Sequence, residues 1–553
     1  MFQYAHSSRR CHFEKVIDAH LGEAGMSNSN NPQENDGPAR PSSQTADDYN
    51  ALPYPSLPVE HCQPSALAAM AAIFGVEPPR LAGARVLELG CSSGGNIIPL
   101  AARFPQSSFV GIDLAHSHVD LARRHIAELQ LGNVSVEVAD LATAKFEPQS
   151  FDFILCHGVF SWVPVAVQDA IFRICANSLS PRGIASISFN VLPGWHMRRI
   201  VRDICRIHAG SQGTPLQRAT RARTALEEIT NGLTGTDPYT LVLRNEAKRI
   251  RTKPLAYVLG EFLSENNTPV YFSEFRTRAE AAGLAYLSDG ELATSLPEYF
   301  MPSAADKVRN LAMGRADALQ HFMDVVSGRT FRRAVLVRNG RVADATFPVD
   351  PMRMRGLHFS AELTQGQAGA DGGAVGFKDA RGRRLSPKDP RATSMLTRLT
   401  NVFPSTQTVD ELLGDDSRNQ QLVASVLKTL LGMIGRQQAT AFALPLKVGR
   451  DVTVRPRAWS VARLDAVSAQ PWVTSLHHRA VRLSPALAVL LPMMDGTRDH
   501  AALRDALSTV MAQGGFKAKA TQRLKGSNGT AASLDVELAA TLAYCSRNGL
   551  LEV

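Results

Sequence analysis

Between residues 84 and 190, short apolar runs alternate with longer mixed segments. Val86–Leu89, Phe109–Ile112, Val134–Val138, Phe151–Cys156 and Gly183–Phe189 are four to seven residues long and rich in Val, Ile, Leu and Phe. Runs of this length suit strands buried on both faces, as in a parallel sheet. The segments between them read as helices, Asn96–Arg103 among them. Strands alternating with helices predict an α/β, doubly wound sheet. Five strands leave such a sheet open. Gly283–Ser288 and Arg333–Arg338 supply two later strands that suit its closure. The intervening stretch 197–265, rich in Arg, Leu, Ala and Glu, reads as a helical insertion that can cover a site or pair two copies of the chain.

The flanks are patterned differently. Residues 1–48 are polar and read as a disordered extension, in which Met26 is a second plausible start. Tyr49–Pro58 is a proline-stiffened extended segment, and Ala66–Phe74 reads as a helix. The expected units are therefore 49–196 for the core, 197–340 for the insertion with the closing strands, 341–440 for a middle domain and 441–553 for a last unit. The middle region contains six glycines between 366 and 382, read as a flexible segment or hairpin, and a helix Ser417–Met433 followed by Gly435. In the last unit, Leu483–Met494 is apolar, Asp495-Gly496 is a turn, and Asp499–Met511 and Asp535–Asn548 are helices. With a terminal strand Leu550–Val553, this pattern predicts a small α+β, winged-helix-like region.

Composition removes several function classes. The chain has 553 residues, too many for one core. Its net charge of +9 is spread along the whole length. The densest basic group, Arg381, Arg383, Arg384 and Lys388, has no interleaved aromatics, so no nucleic-acid partner is expected. The last unit shows no basic recognition helix and is expected to pack against protein. Seven cysteines without C-x-x-C spacing argue against a disulfide framework or a zinc site, and no metal is expected. No apolar run reaches 18 residues, and the first 25 residues lack a signal-peptide core. A reducing, cytoplasmic location is the expectation.

The candidate chemistry lies at the first strand. Arg85-Val-Leu-Glu-Leu-Gly-Cys-Ser-Ser-Gly-Gly-Asn96 is a strand, a small-residue turn and a helix start, an arrangement that gathers backbone N–H groups around a ligand. Asp113 closes the second strand, 23 positions after Gly90, where a carboxylate can accept from both ribose hydroxyls. Two readings stay open from the turn alone. Gly90, Ser92 and Gly95 fit a dinucleotide G-x-G-x-x-G lacking its middle glycine. Glu88, Gly90, Ser92 and Gly94 fit the E-x-G-x-G-x-G turn of class I methyltransferases with one serine. The second reading also explains Glu88, and Asp140 with Leu141 after the third strand, where a carboxylate can take an adenine amino group.

Several further segments carry a resemblance. They are Pro53-Tyr54-Pro55-Ser56, His157-Gly-Val-Phe-Ser-Trp-Val-Pro164, Asn190-x-x-Pro-Gly-Trp-His196, Asn267-x-Pro-Val-Tyr-Phe272 and Arg329-Thr-Phe-Arg332. Together with the glycine turn, this pattern resembles bacterial class I methyltransferases carrying a methyltransferase regulatory domain. Rickettsial outer-membrane-protein lysine methyltransferases are among them. The resemblance is close over 49–338 and looser at Leu476-His-His-Arg479 and Leu491–Arg498. It implies a Rossmann-like methyltransferase sheet and S-adenosyl-L-methionine as cofactor. It implies Glu88, Gly90, Cys91 and Gly94 at the methionine end, Asp113 and Leu114 at the ribose, and Asp140 and Leu141 at the adenine. His157 either positions or deprotonates an acceptor, or bonds backbone. Trp162 either walls the acceptor pocket or packs in the core, and Tyr54 is either a lid or an anchor. Trp195 and His196 either line the same cleft or pack. The acceptor is protein lysine or a small molecule. The alternative is a cofactor-binding regulatory or scaffold protein without turnover; an NAD-dependent dehydrogenase is a third reading. Ser92 departs from the family, which has glycine there; its Cβ crowds the turn if φ is positive.

Overall fold

The computed structural model describes residues 55–342, 349–366, 376–387, 390–450, 453–468, 470–513 and 529–553. Tyr54, the extension 1–48 and most of the glycine-rich loop lie outside the described residues.

Seven strands form one sheet in the order β3-β2-β1-β4-β5-β7-β6. They are β1 (Arg85–Leu89), β2 (Ser108–Asp113), β3 (Val134–Val138), β4 (Phe151–Cys156), β5 (Leu179–Asn190), β6 (Leu284–Asp289) and β7 (Phe331–Arg338). β1 to β5 pair in parallel, and β7 inserts antiparallel between β5 and β6. The period of two explains why these runs are apolar throughout. Val86, Phe153, Leu155, Val335 and Val337 enter one core cluster, whereas Leu87, Ile154, Cys156, Ala334 and Leu336 enter the cluster on the opposite face. Strand order reverses between β1 and β4, so the ends of β1, β2 and β4 open onto one crevice.

The insertion is helical: Trp195–Ala209, Pro215–Gly232, Pro238–Arg251 and Leu255–Val258, the last running into a π-helical turn, Leu259–Leu263. It has its own apolar core around Val201, Leu226, Leu243 and Phe262. The middle region shares a core with the sheet. The helix Pro64–Ile73 packs Leu67 and Met70 into one cluster with Val86, Leu399, Val423 and Leu430. The middle helix spans Gln420–Gly435. Gly435 is its last residue rather than a stop beyond it; glycine is needed there for close packing, since a Cβ would fall 2.4 Å from the Tyr299 ring. The glycine-rich loop joins the strands Leu363–Gln365 and Phe377–Asp379, an antiparallel pair.

The last unit has helices at His500–Ala512 and Gly529–Arg547, where two were expected, a further helix Pro485–Leu490 within the apolar run, and a hairpin of Trp472–Thr474 and Ala480–Arg482. The expected terminal strand is reduced to one bridge, Ala458 with Leu551. Gly549 at φ +69 turns the chain just before it, and Trp459 N donates to Leu550 O at 2.9 Å, Glu552 N to Arg457 O at 3.0 Å and Gly449 N to Leu551 O at 3.0 Å.

Candidate cofactor site

The turn after β1 is pinned to the end of β2. Gly90 and Cys91 donate their backbone N–H groups to Ile112 O at 2.8 and 3.0 Å, and Ser92 N donates to Asp113 Oδ2 at 2.8 Å. Gly90 has φ +73, and a Cβ there would fall 2.4 Å from Val159 Cγ2. Ser92 has φ +49, in the left-handed region that favours glycine. Its Oγ is buried without a hydrogen-bond partner. The strap Pro55–Pro58 crosses Gly95 closely: Gly95 N donates to Ser56 Oγ at 2.8 Å, and a Cβ at Gly95 would fall 2.5 Å from Ser56 O.

A cavity of 1760 Å³ opens over these strand ends. Glu88, Gly90, Cys91, Asp113, Leu114, Asp140, Leu141, His157 and Trp162 all line it, so the structure brings together nearly every described residue expected at the site. Gly94 stands behind the wall, with φ +81, facing Ile98 and Ala122; its part is to shape the turn. Of the two alternatives for Trp195 and His196, packing holds for Trp195, which is buried in the core, whereas His196 is exposed; neither lines the cavity.

Glu88 is the informative charge. Burial pushes its carboxyl up to about 8, with Asn96 holding it down and Asp113 pushing it further up. Asn96 Nδ2 donates to Glu88 Oε1 at 2.8 Å. Glu88 Oε2 is buried with no partner at the cavity wall, and a cationic amine placed beside it would favour the ionised carboxylate and pair with that oxygen. Asp113 Oδ1 accepts Ala115 N at 3.0 Å, so this carboxylate also shapes its own loop. Asp140 Oδ1 likewise accepts Ala142 N at 2.9 Å.

His157 follows β4 and sits edge-on to His61 and Phe331, with ring centroids 5.4 and 5.8 Å away. Burial, with the Arg333 charge, lowers it to about 3. It therefore stays neutral at ordinary pH and cannot hold a proton taken from an alkylammonium; a positioning hydrogen bond is what it can offer. His61, Cys62 and His157 place ligand-type atoms within 4.8 Å of one another. A tetrahedral zinc site needs separations of about 3.5 Å. Arg333 also opposes a cation beside both imidazoles. Trp162 faces the cavity and meets Trp195 edge-on at 6.0 Å.

Sequence reasoning missed several cavity residues. His61, Asn96, Glu261, Arg333 and His478 line it from four different parts of the chain. Glu261, in the π-helical turn, is pushed up to about 7 by burial. The Leu476–Arg479 resemblance was the one signal that pointed toward His478.

Known proteins match this arrangement. A family model described as "Methyltransferase domain" covers residues 86–183. "Predicted methyltransferase regulatory domain" covers 254–338 and "PKMT, C-terminal winged helix domain" covers 455–550. The chain is 36% identical over 233 residues to uncharacterized protein RP028 of Rickettsia prowazekii, spanning 42% of this chain and 93% of that protein. The chain belongs to this S-adenosylmethionine-dependent methyltransferase family. It is also 35% identical over 292 residues to uncharacterized protein RP789 of the same organism, covering 53% of this chain and about half, 52%, of that relative. The solved structure of PKMT2 from Rickettsia typhi in complex with AdoHcy superposes with a TM-score of 0.80 at 24% identity. That match covers 90% of this chain and all of that one, and shows the shared fold, a Rossmann-like methyltransferase sheet with a C-terminal winged-helix domain. Among the described residues of this methyltransferase-family chain, no helix is long and apolar enough to cross a membrane.

Proposed function

We propose that the chain transfers a methyl group from S-adenosylmethionine to an amine, with protein lysine side chains as the acceptor class. The observation that carries the cofactor reading is the buried Glu88, one oxygen engaged by Asn96 and the other open, beside Asp113 at the next strand end. Glu88 would hold the cofactor amine, Asp113 and Leu114 the ribose, and Asp140 and Leu141 the adenine. When bound, the cofactor supplies an already activated methyl group, so alignment of the acceptor is the main task left to the protein. His157 orients the acceptor, and Trp162 offers a π face to its alkylammonium. Desolvation of the acceptor amine once it is bound would favour loss of its proton. The lysine class rests on the likeness to PKMT2 and on a 1760 Å³ cavity, far larger than one cofactor needs. We also assign pairing of two copies to the insertion, where Ile207, Leu216 and Tyr239 are 83, 51 and 57% exposed.

Calorimetric titration with S-adenosylhomocysteine, with NADH in parallel, tests the cofactor. The expected result is micromolar binding of the first alone, weakened about tenfold or more in Asp113→Asn, a charge-assisted pair being worth 1.5–3 kcal/mol. NADH binding, or an Asp113→Asn protein with unchanged affinity, overturns the reading. Incorporation of labelled methyl into lysine-bearing proteins tests the acceptor. A second reading, binding without turnover, is favoured by Ser92 in its left-handed turn. Tight cofactor binding with no transfer to any protein or small-molecule acceptor supports it.

A further inference from the structure

The cofactor turn is gripped by the far end of the chain. His478 Nε2 lies 2.7 Å from Asn96 Oδ1, across 382 residues of sequence. Val59 N donates to the same oxygen at 3.0 Å. A backbone N–H can only donate, so Oδ1 is the acceptor and the Asn96 amide is fixed in one orientation. His478 Nε2 is therefore the donor, and Asn96 Nδ2 is left facing Glu88 at 2.8 Å. The relay His478–Asn96–Glu88 is buried along its length. His478 is held for this purpose in an unusual backbone state, with φ +60. Its neighbour Arg479 ties the same turn to Glu60, just past the Pro55–Pro58 strap, at 2.5 Å. The adjacent histidine, His477, is also buried, but its ring bonds Pro404 O at 2.6 Å rather than Asn96.

We propose that His478 is a positioning residue for cofactor binding, supplied by the C-terminal winged-helix unit and acting through Asn96 on Glu88. Docking of that unit and cofactor affinity are then linked in both directions. The inference rests on the reading of Glu88 as the residue that meets the cofactor amine. Asp113, Cys62, Cys91 and Cys156 are the other titratable groups whose charges act on or with Glu88.

The full chain is titrated with S-adenosylhomocysteine between pH 6 and 9, with circular dichroism as the check on folding. His478→Ala is expected to weaken binding at least tenfold. His478→Asn, which tolerates the left-handed backbone but is too short to reach Asn96, is expected to do the same. Loss of His478 leaves Val59 N as the remaining hold on Asn96 Oδ1, so the amide's grip on Glu88 loosens and the pH midpoint for binding moves upward with the Glu88 carboxyl. His477→Ala, removing the adjacent buried ring, is expected to change affinity less than threefold and leave the midpoint in place. A folded His478→Asn protein that binds like the wild type overturns the inference. So does a His477→Ala protein that loses as much affinity, since any disturbance of docking would then suffice. If neither His478 variant folds, the residue is structural and the inference also fails. Glu88→Gln separates the two levels. Unchanged binding there removes the reading of Glu88, whereas weakened binding beside unaffected His478 variants removes only the relay.

Discussion

At the scale of single residues, Ser92 shows what the turn demands. A non-glycine residue at φ +49 crowds its own Cβ against the backbone, at a cost of about 1–2 kcal/mol. Ser92→Gly removes that crowding but loosens the unfolded chain. The expected net gain is about 0.5–1 kcal/mol, seen as a higher midpoint in denaturant unfolding. Cofactor affinity should hold or rise, because the Ser92 N–H bond to Asp113 is kept. Lower stability in the glycine variant would show that the serine hydroxyl serves the turn. The carboxylates were legible in the sequence because each stands at a strand end, where an apolar run stops. Asn96 was legible only as a helix start. Its side chain works between Glu88, Val59 and His478, and the last of these has no local signature.

At the scale of elements, the closing strands are fastened by charge. Arg332 Nε donates to Asp324 at 2.9 and 3.1 Å, and its Nη1 to Asp289 at 3.2 Å; Arg329 Nη1 meets Asp289 at 2.6 Å. This ties β6, β7 and the helix Ala316–Ser327 together in a fully buried network. Asp324→Asn leaves buried guanidinium charge short of its partner and is expected to cost about 3–5 kcal/mol. Thermal unfolding of the variant against wild type measures it; a loss under 1 kcal/mol would mean that water reaches the network. The strands themselves were readable, since both sheet faces are covered and each run is apolar throughout. β5 begins earlier than its apolar run, at Leu179, because Leu179 pairs Phe151 before a register shift. The terminal strand is shorter than expected because, among the described residues, Leu550–Glu552 meets only the few residues around Arg457–Trp459 and Gly449, a partner that an apolar Leu-Leu pair does not announce.

At the scale of the whole molecule, acid is the expected weakness. Burial lowers His157, His477 and His478 to about 3, against about 6.5 in an unfolded chain. These groups stay neutral when folded and take up protons when unfolded. Their contribution is complete above pH 6.5 and is lost as pH falls toward 3. Each such histidine removes about 1.4 kcal/mol per pH unit over that window. Denaturant midpoints between pH 8 and 5 should fall steeply, and replacing His477 with Gln should flatten the slope. A flat profile would mean that these rings are hydrated.

The sheet is completed out of order. Arg338, at the end of β7, donates to Leu179 O at the start of β5 from 159 residues away. During synthesis at about 5–20 residues per second, the β5 edge waits roughly 8–32 s for its neighbour. Asn96 waits roughly 20–80 s for His478, 382 residues downstream. An apolar strand with an open edge for that long is an invitation to pair with another nascent chain. Yield from the ribosome should therefore depend on chaperone supply and on translation speed through the insertion. A polypeptide released before its last hundred residues would carry a formed sheet with an ungripped cofactor turn.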